Sequence, residues 1–177
     1  AHHTGSVGVT GSNPVSSTVE DAARADPAGR FSRTVEGMES PIGRLGVVVK
    51  QGRVREVRFG EHSLDDDTVT RQLRQYFAGQ RREFDVPLDL CGVTPFRAGV
   101  LRALMRVPYG ETTTYTELAR AVGNPKAVRA VGSACATNPL PILIPCHRVL
   151  RADGSLGGYR GGTEAKRFLL RLEGIDV

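Results

Sequence analysis

The sequence predicts a mixed α/β (α+β) protein in which a small N-terminal α/β domain precedes a mostly helical C-terminal domain. Two observations lead to this prediction: strand-like alternation with a hairpin turn in the first half, and helical periodicity with capping residues in the second. We predict a mobile leader at residues 1–35, rich in small polar residues and without periodicity. The α/β domain is predicted at residues 36–92 and the helical domain at residues 93–177.

The first ordered element is predicted to be a β-hairpin. Residues 43–50 and residues 53–59 are strand-like, and Gln51-Gly52 between them is typical of a two-residue hairpin turn. Residues 83–90 also alternate apolar and polar side chains. They predict a further strand, whose proline suits a sheet edge.

A helix is predicted between these strands, within residues 64–79. Val69, Leu73 and Phe77 recur every four positions and would share one face, and Gly79 is a typical helix end. The first half is therefore expected to be a compact α/β unit.

Helices dominate the second half. Thr94 and Pro95 suit the N-cap and the first position of a helix that ends by residues 108–110. Thr114 and Glu117 have the spacing of a capping box and begin a second helix. The apolar stripe predicted for the first of these helices is Val100, Leu101, Leu104 and Met105.

A third helix is predicted at residues 126–137, after a turn at residues 123–125. With the helix before it, this outlines a helix-turn-helix, although most such pairs are merely packed helices. Small residues dominate the third helix, and Arg129 is the one long cation that stands among them. This composition suits a shallow approach to DNA with one inserted side chain. On pattern alone, a core helix with Arg129 in solvent is favoured. The predicted inward stripe is Val128, Val131 and Cys135.

The composition is that of an ordinary globular chain, with 40% hydrophobic and 24% charged residues. No apolar run approaches the roughly 18 residues of a membrane span, so we expect a soluble protein. Residues 1–92 hold 12 Lys and Arg against 13 Asp and Glu, whereas residues 93–177 hold 12 against 6, a net charge of +6. A basic half suits a polyanion such as nucleic acid, or simply a solvated basic surface.

The cysteines favour a reducing compartment and give no sign of a metal site. Cys91, Cys135 and Cys146 are an odd number without Cys-x-x-Cys spacing, and two of the four histidines lie at the N-terminus. We therefore expect free thiols in a cytoplasmic setting and no bound metal.

Cys146 is the candidate nucleophile. It follows an apolar run at residues 140–145, which predicts a buried strand, and it is adjacent to His147 and Arg148. A lone cysteine is more often an inert core residue, but a neighbouring cation would lower its pKa. Neighbours in a strand point to opposite faces. His147 can therefore act on Cys146 only if the chain turns here or if a water relays the proton.

A histidine that serves a nucleophile usually needs a third group to orient it. The C-terminal helix predicted at residues 163–174 carries Glu173 in its last turn, where the helix dipole disfavours an anion. This position suggests a compensating partner, for which His147 is the candidate. The alternative is a solvated glutamate.

Taken together, these motifs resemble the O6-alkylguanine-DNA alkyltransferases, also called methylated-DNA–protein-cysteine methyltransferases. The matching stretches are "PYGETTTYTELA", "GNPKAVRAVGSACATNPLPIL", "IPCHRV", "GGYRGG" and "LLRLEG", in family order, between residues 94 and 174. The first half is similar to the family's N-terminal domain chiefly through "SPIGRL". The resemblance implies a repair protein that moves an alkyl group from O6-alkylguanine in DNA to its own cysteine, once per molecule.

The resemblance also assigns DNA binding to the helix-turn-helix, in the minor groove. Arg129 would replace a nucleotide rotated out of the stack, with Ala127 and Ala130 beside it, because the alkylated oxygen cannot be reached within the duplex. Tyr115 would crowd the phosphate and assist protonation of the leaving guanine. Asn138 matches a hinge between the recognition helix and the active-site segment.

In the implied chemistry, Cys146 attacks the alkyl carbon as a thiolate, with His147 as a water-linked base that Glu173 orients. The product is a thioether, and no cofactor or metal is expected. Pocket positions around the flipped base are matched by Pro141, Val149 and Tyr159. Two residues that differ from other family members are expected to border the same pocket. Arg160 leaves open which alkyl groups are accepted. Cys135 is either a second reactive thiol or a packing residue, and the packing role is favoured.

The expected partner is double-stranded DNA that contains O6-alkylguanine. The protein is expected to act as a monomer, with clustering on DNA left open, in the cytoplasm, nucleoid or nucleus, wherever the DNA is. Two other functions are considered. A non-catalytic lesion-binding module would not need Cys146, and a Cys-His hydrolase would leave the Arg129 helix and the basic half unexplained.

Overall fold

The computed structural model describes residues 34–35, 37–60, 63–64 and 67–177. The leader predicted at residues 1–35 lies outside the described residues except for its last two. The strands are β1 (Thr34–Val35), β2 (Leu45–Lys50), β3 (Arg53–Phe59), β4 (Ser63–Leu64), β5 (Thr113–Thr114) and β6 (Val149–Leu150). The helices are α1 (Asp67–Phe77), α2 (Pro95–Leu104), α3 (Tyr115–Ala121), α4 (Val128–Ala136) and α5 (Thr163–Leu172), with a 3-10 turn at Cys146–Arg148.

The structure combines three two-stranded pairings with five helices in the described residues. β1 pairs with β4 and β2 with β3, both antiparallel, whereas β5 pairs with β6 in parallel. The prediction of a mixed α/β protein is confirmed. Within the part of the chain described here, none of the helices has the length and apolar character needed to cross a bilayer.

β2 and β3 form the predicted hairpin. Gln51 and Gly52 have φ angles of 52° and 73°, the left-handed values that a type I′ turn needs at both central positions. The pairing is irregular only between Val48 and Val49. The side chains that the hairpin buries in the core are Leu45, Val47, Val54 and Val57.

Residues 83–90 are not the regular strand that their alternation predicts. They make one bridge to β3, in which the Val54 N–H donates to Pro87 O and the Asp89 N–H donates to Val54 O, both at 2.8 Å. Pro87 has no N–H to extend this ladder. The segment still packs its alternate side chains, Phe84, Val86, Leu88 and Leu90, against the core.

α2 begins at Pro95 as predicted but ends at Leu104, well before residues 108–110. Met105 follows as the C-cap and is 50% exposed, so its assignment to the buried stripe is wrong. The Val107 N–H donates to Leu104 O at 3.0 Å, which turns the chain there and leaves Met105 in solvent. Thr94 lies at the N-cap, but its side chain makes no capping hydrogen bond.

α3, the first helix of the predicted helix-turn-helix, is well formed. Thr114 and Glu117 make both hydrogen bonds of the predicted capping box: Thr114 Oγ1 accepts from the Glu117 N–H at 3.1 Å, and Glu117 Oε2 accepts from the Thr114 N–H at 2.8 Å. α4 starts at Val128, two residues later than predicted, and Val128 is only partly buried. α2, α3 and α4 pack against one another.

One hydrophobic core runs from the hairpin through α1 and into the C-terminal helices. A backbone hydrogen bond also joins the two halves: the Val57 N–H of β3 donates to Pro139 O at 2.8 Å. Pro139 begins the segment that leads to Cys146. The hairpin is therefore hydrogen-bonded to the segment that carries the candidate site.

Candidate active site

A tight turn leads to Cys146, so the strand predicted at residues 140–145 is wrong. Ile142 has a φ of 74°, and the Ile144 N–H donates to Leu140 O at 2.8 Å across the turn. Three prolines at residues 139–145 have no N–H to give to a strand ladder. The apolar side chains are therefore buried in a turn instead of a sheet.

Asn138 holds this turn at both ends. Its Nδ2 donates to Ile144 O at 2.9 Å, and its Oδ1 accepts from the Leu140 N–H at 2.9 Å. The Asn138 side chain also acts to lower the pKa of the Cys146 thiol. Because Asn138 is 1% exposed, losing these bonds would leave buried polar groups unpaired, at a cost of about 1–3 kcal/mol each.

The 3-10 turn brings the histidine and the cysteine into one local unit. It is closed by a hydrogen bond from the Arg148 N–H to Pro145 O at 3.1 Å. Successive side chains on a 3-10 helix are rotated by about a third of a turn, because it has about 3 residues per turn. His147 therefore does not point directly away from Cys146, as it would in a strand.

A buried carboxylate, Glu173, lies at the centre of the site. Its Oε1 accepts from Tyr76 Oη at 2.7 Å, from His147 Nε2 at 2.8 Å and from Arg148 Nη2 at 2.9 Å. Its Oε2 accepts from Arg148 Nε at 2.8 Å. The side chain has no exposed surface, so it is not the solvated glutamate of the alternative interpretation.

The charges around Glu173 determine which nitrogen of His147 carries the proton. Burial opposes ionisation of Glu173, but hydrogen bonds from His147, Arg148 and Tyr76 outweigh it and lower its pKa to about 2. Burial lowers the pKa of His147, so the imidazole is neutral near pH 7. Nε2 faces a carboxylate and must be the protonated nitrogen, which leaves Nδ1 with a free lone pair. Nδ1 is buried and has no hydrogen-bond partner among the described residues.

Burial favours the protonated form of the Cys146 thiol. Cys146 is 5% exposed, and burial raises its pKa, although Asn138, Lys166 and Arg160 act in the opposite direction. The lowering of this pKa expected from a neighbouring cation is outweighed by burial. The Arg148 guanidinium donates hydrogen bonds to Glu173. Its Nη1 also donates to Val107 O at 2.6 Å.

A cavity of about 310 Å³ opens over the Cys146 thiol. Its walls include Tyr115, Cys135, Tyr159 and Arg160, four of the side chains predicted from the sequence. The predicted pocket residues Pro141 and Val149 do not line it. Both are buried, and Val149 instead pairs with Thr113 in the β5–β6 sheet.

Tyr159 presents an unpaired polar atom beside this cavity. Its hydroxyl is buried without a hydrogen-bond partner in the part of the chain that the structure describes, and its ring meets Phe59 of β3 edge-on, with centroids 6.0 Å apart. Gly161 permits this packing, because a Cβ there would lie 2.7 Å from the Phe59 ring. Arg160 is exposed, and its Nη1 lies 3.5 Å from Asn138 O.

The outer face of α4 carries the residues predicted to meet DNA. Arg129 and Ala130 are exposed and Ala127 is partly buried. Arg129 makes no hydrogen bond or ion pair within the described part of the chain. Tyr115 joins this face to the cavity, since its ring packs near Gly132 of α4 and its side chain lines the pocket.

Two site residues were not found from the sequence. Tyr76 is a fully buried residue of α1 that donates to Glu173. Lys166 of α5 is fully buried, and its Nζ donates to Val149 O at 2.5 Å and to Leu156 O. Lys166 shares the apolar face of α5 with Leu169 and Leu170. A lysine among the apolar residues of a helix face was the sequence feature that could have indicated a buried polar contact here.

Comparison with known proteins identifies the family. The chain is 42% identical over 155 residues to the constitutive methylated-DNA–protein-cysteine methyltransferase of Bacillus subtilis, covering 78% of this chain and 93% of that protein. The 6-O-methylguanine DNA methyltransferase models match residues 95–175, as the DNA binding domain, and residues 35–90, as the ribonuclease-like domain. The chain belongs to the 6-O-methylguanine DNA methyltransferase family. The resemblance drawn from the Cys146 motif is confirmed.

Further relatives support this family assignment. A methylated-DNA–protein-cysteine methyltransferase of Methanosarcina acetivorans is 54% identical over 149 residues, covering 77% of this chain and 95% of that protein. The crystal structure of Mycobacterium tuberculosis OGT in complex with DNA is similar with a TM-score of 0.73 at 44% identity. That match covers 77% of this chain and 90% of the other.

Proposed function

We propose that this protein repairs DNA by moving the alkyl group of O6-alkylguanine to its own Cys146. One observation carries the choice of residue: Cys146 lines a cavity and belongs to the same 3-10 turn as His147, whose imidazole is oriented by buried Glu173. The relatives named as methylated-DNA–protein-cysteine methyltransferases support this reaction.

The proton of the thiol leaves through His147. With Nε2–H donated to Glu173, the free lone pair of Nδ1 accepts a proton from a water that in turn takes the proton of Cys146. The imidazolium that forms is stabilised by the carboxylate beside it. His147 therefore serves as the base, and Glu173 positions it and stabilises its charged form.

The thiolate then displaces guanine from the alkyl carbon. The S–C bond forms as the C–O6 bond breaks, and the electron pair of that bond stays on the base. Tyr115 supplies a proton toward the leaving guanine. Its pKa is raised by burial and by the neighbouring Cys135 and Cys146, so its hydroxyl holds a proton at neutral pH. The thioether product is not hydrolysed, so each molecule acts once and needs no cofactor.

DNA enters along α4. Ala127 and Ala130 are small enough to allow a close approach to the minor groove, and Arg129 would fill the space that the flipped base leaves. The flipped base would then lie between Tyr159 and α4, with Cys135 beside it. The net charge of +6 over residues 93–177 favours the phosphate backbone.

The organisation of the chain is part of the proposal. Residues 93–177 would bind DNA and carry the acceptor, and residues 36–92 would support them through Tyr76 and β3. The protein would act as a monomer, with clustering on DNA left to measurement, wherever the cellular DNA is held.

The direct test is to incubate the protein with duplex DNA containing O6-methylguanine and to map the modified peptide by mass. A stoichiometric gain of one methyl group at Cys146 is expected, and Cys146→Ala should bind the duplex without any gain. Cys91→Ser is the matched control, because Cys91 is exposed and lies outside the cavity. Methylation at another residue would overturn the assignment. Binding without transfer would indicate a lesion-binding module, and turnover of esters or amides a hydrolase.

A further inference from the structure

We propose that Cys135 and Cys146 form a peroxide-responsive thiol pair, in which oxidation joins the two sulfurs in a reversible disulfide and blocks alkyl transfer. The effect on transfer rests on the proposed function of Cys146. The disulfide itself is a separate claim about two neighbouring thiols.

The fold brings these two cysteines to one cavity. Cys135 lies in the last turn of α4 and Cys146 at the start of the 3-10 turn, and both line the same space of about 310 Å³. Both are reduced and nearly buried, at 7% and 5% exposure. Tyr115 is close enough to both thiols that each raises the pKa of its hydroxyl.

Asn138 ties the two cysteine-bearing segments together. Its N–H donates to Cys135 O at 3.3 Å, and its side chain holds the turn that ends at Cys146. The two thiols are also electrostatically coupled, since Cys146 contributes, after burial, to raising the pKa of Cys135. The third cysteine, Cys91, is exposed and outside this cavity, which makes it an internal reference.

The oxidation proceeds in two balanced steps with hydrogen peroxide as the oxidant. His147 accepts the proton of Cys146 through a water, and the thiolate attacks one peroxide oxygen to give a sulfenic acid and one water. The Cys135 sulfur then attacks the sulfenic sulfur, and the departing hydroxide leaves as water with the proton of the Cys135 thiol. Two electrons pass from the sulfurs to the peroxide, and a dithiol reductant reverses the change.

Such a disulfide would protect the acceptor. A sulfenic acid without a nearby thiol oxidises further to sulfinic acid, which ordinary thiols do not reduce. In a protein that acts once per molecule, that loss would be as complete as alkylation. Cys135 would divert the intermediate into a recoverable state.

The test compares three proteins, all carrying Cys91→Ser to remove the exposed thiol: the parent, Cys135→Ala and Cys146→Ala. Each is treated with hydrogen peroxide and digested without reduction for mass mapping. For the parent and Cys135→Ala, methyl transfer from duplex DNA is then measured before and after dithiothreitol, relative to each protein's own untreated value. The parent should yield a peptide pair joined through Cys135 and Cys146, lighter by two hydrogens, and dithiothreitol should restore its transfer.

In Cys135→Ala the same treatment should add oxygen to Cys146 and leave the loss permanent, with recovery at least about fivefold lower than in the parent. Cys146→Ala should form no joined pair. Equal recovery in the parent and in Cys135→Ala, or absence of the joined peptides in the parent, overturns the proposal. Failure of the untreated parent to accept a methyl group would instead count against the proposed function.

Discussion

Replacing Glu173 by glutamine should destabilise the protein at neutral pH and remove part of its acid sensitivity. The carboxylate accepts four hydrogen bonds from Tyr76, His147 and Arg148 and has no exposed surface. Glutamine keeps the shape but removes the charge. The Arg148 guanidinium is then buried without a counter-ion, for which a loss of about 3–5 kcal/mol in the free energy of unfolding is expected.

The pKa of Glu173 provides an independent magnitude. A reduction from 4.5 to about 2 corresponds to about 3 kcal/mol of stability at neutral pH, at about 1.4 kcal/mol per unit. Because the folded-state pKa is the lower one, this contribution is complete above pH 4.5 and is lost as the pH falls toward 2. The two magnitudes agree, as they should if both describe the same buried ion pair.

The assay is urea unfolding at pH 7, 5, 4 and 3 for the wild type, Glu173→Gln and the control Glu164→Gln. Glu164 belongs to the same helix but is exposed and pairs with its neighbour Arg167. The difference between wild type and Glu173→Gln should be largest at pH 7 and shrink below pH 4.5. A difference that is the same at every pH would refute the linkage argument. An equal loss of stability in Glu164→Gln would show that burial of Glu173 does not increase its contribution to the free energy of unfolding.

Two further predictions concern DNA binding, and a third concerns the buried Lys166 of α5. Arg129→Ala should slow repair of duplex DNA at least about tenfold while leaving reaction with free O6-alkylguanine nearly unchanged, since base flipping is needed only in the duplex; Arg120→Ala on α3 is the charge-matched control, and an equal loss on both substrates would contradict the role. Raising salt from about 50 to about 200 mM should weaken duplex binding at least about tenfold, because phosphate contacts release counterions, and an affinity independent of salt would remove that interpretation of the basic half. Burial lowers the pKa of Lys166 to about 8, so the folded state disfavours its charged form. Unfolding measured from pH 8 to 10 should therefore show wild type gaining stability relative to Lys166→Met, and a constant difference would contradict the pKa assignment.

Much of the fold and site could be predicted because the signals are local in the chain. Gln51-Gly52 needs only its own backbone angles to make the hairpin turn, and the Thr114–Glu117 capping box needs only a spacing of three. Where prediction failed, the missing information was not local. Alternation at residues 83–90 and the apolar run at residues 140–145 both indicated strands, but each contains proline and had no continuous partner to pair with.

The roles of polar side chains were the least predictable. Arg148 was expected to lower the pKa of its neighbour Cys146, whereas it pairs with Glu173 in a different part of the chain. Tyr76 carried no sign of its contact, because 97 positions separate it from Glu173. A hydrogen bond between distant residues depends on how helices pack, and neither residue's neighbours in sequence record it.

From its sequence alone this protein revealed its family, its candidate nucleophile and its helix-turn-helix, because each is written in contiguous motifs or in short periodic spacing. Only the tertiary structure decided that Cys146 is a buried thiol in a 3-10 turn, that Nδ1 of His147 carries the free lone pair, and that Cys135 shares its cavity. Those properties follow from burial and from contacts between distant segments, which exist only once the chain has folded.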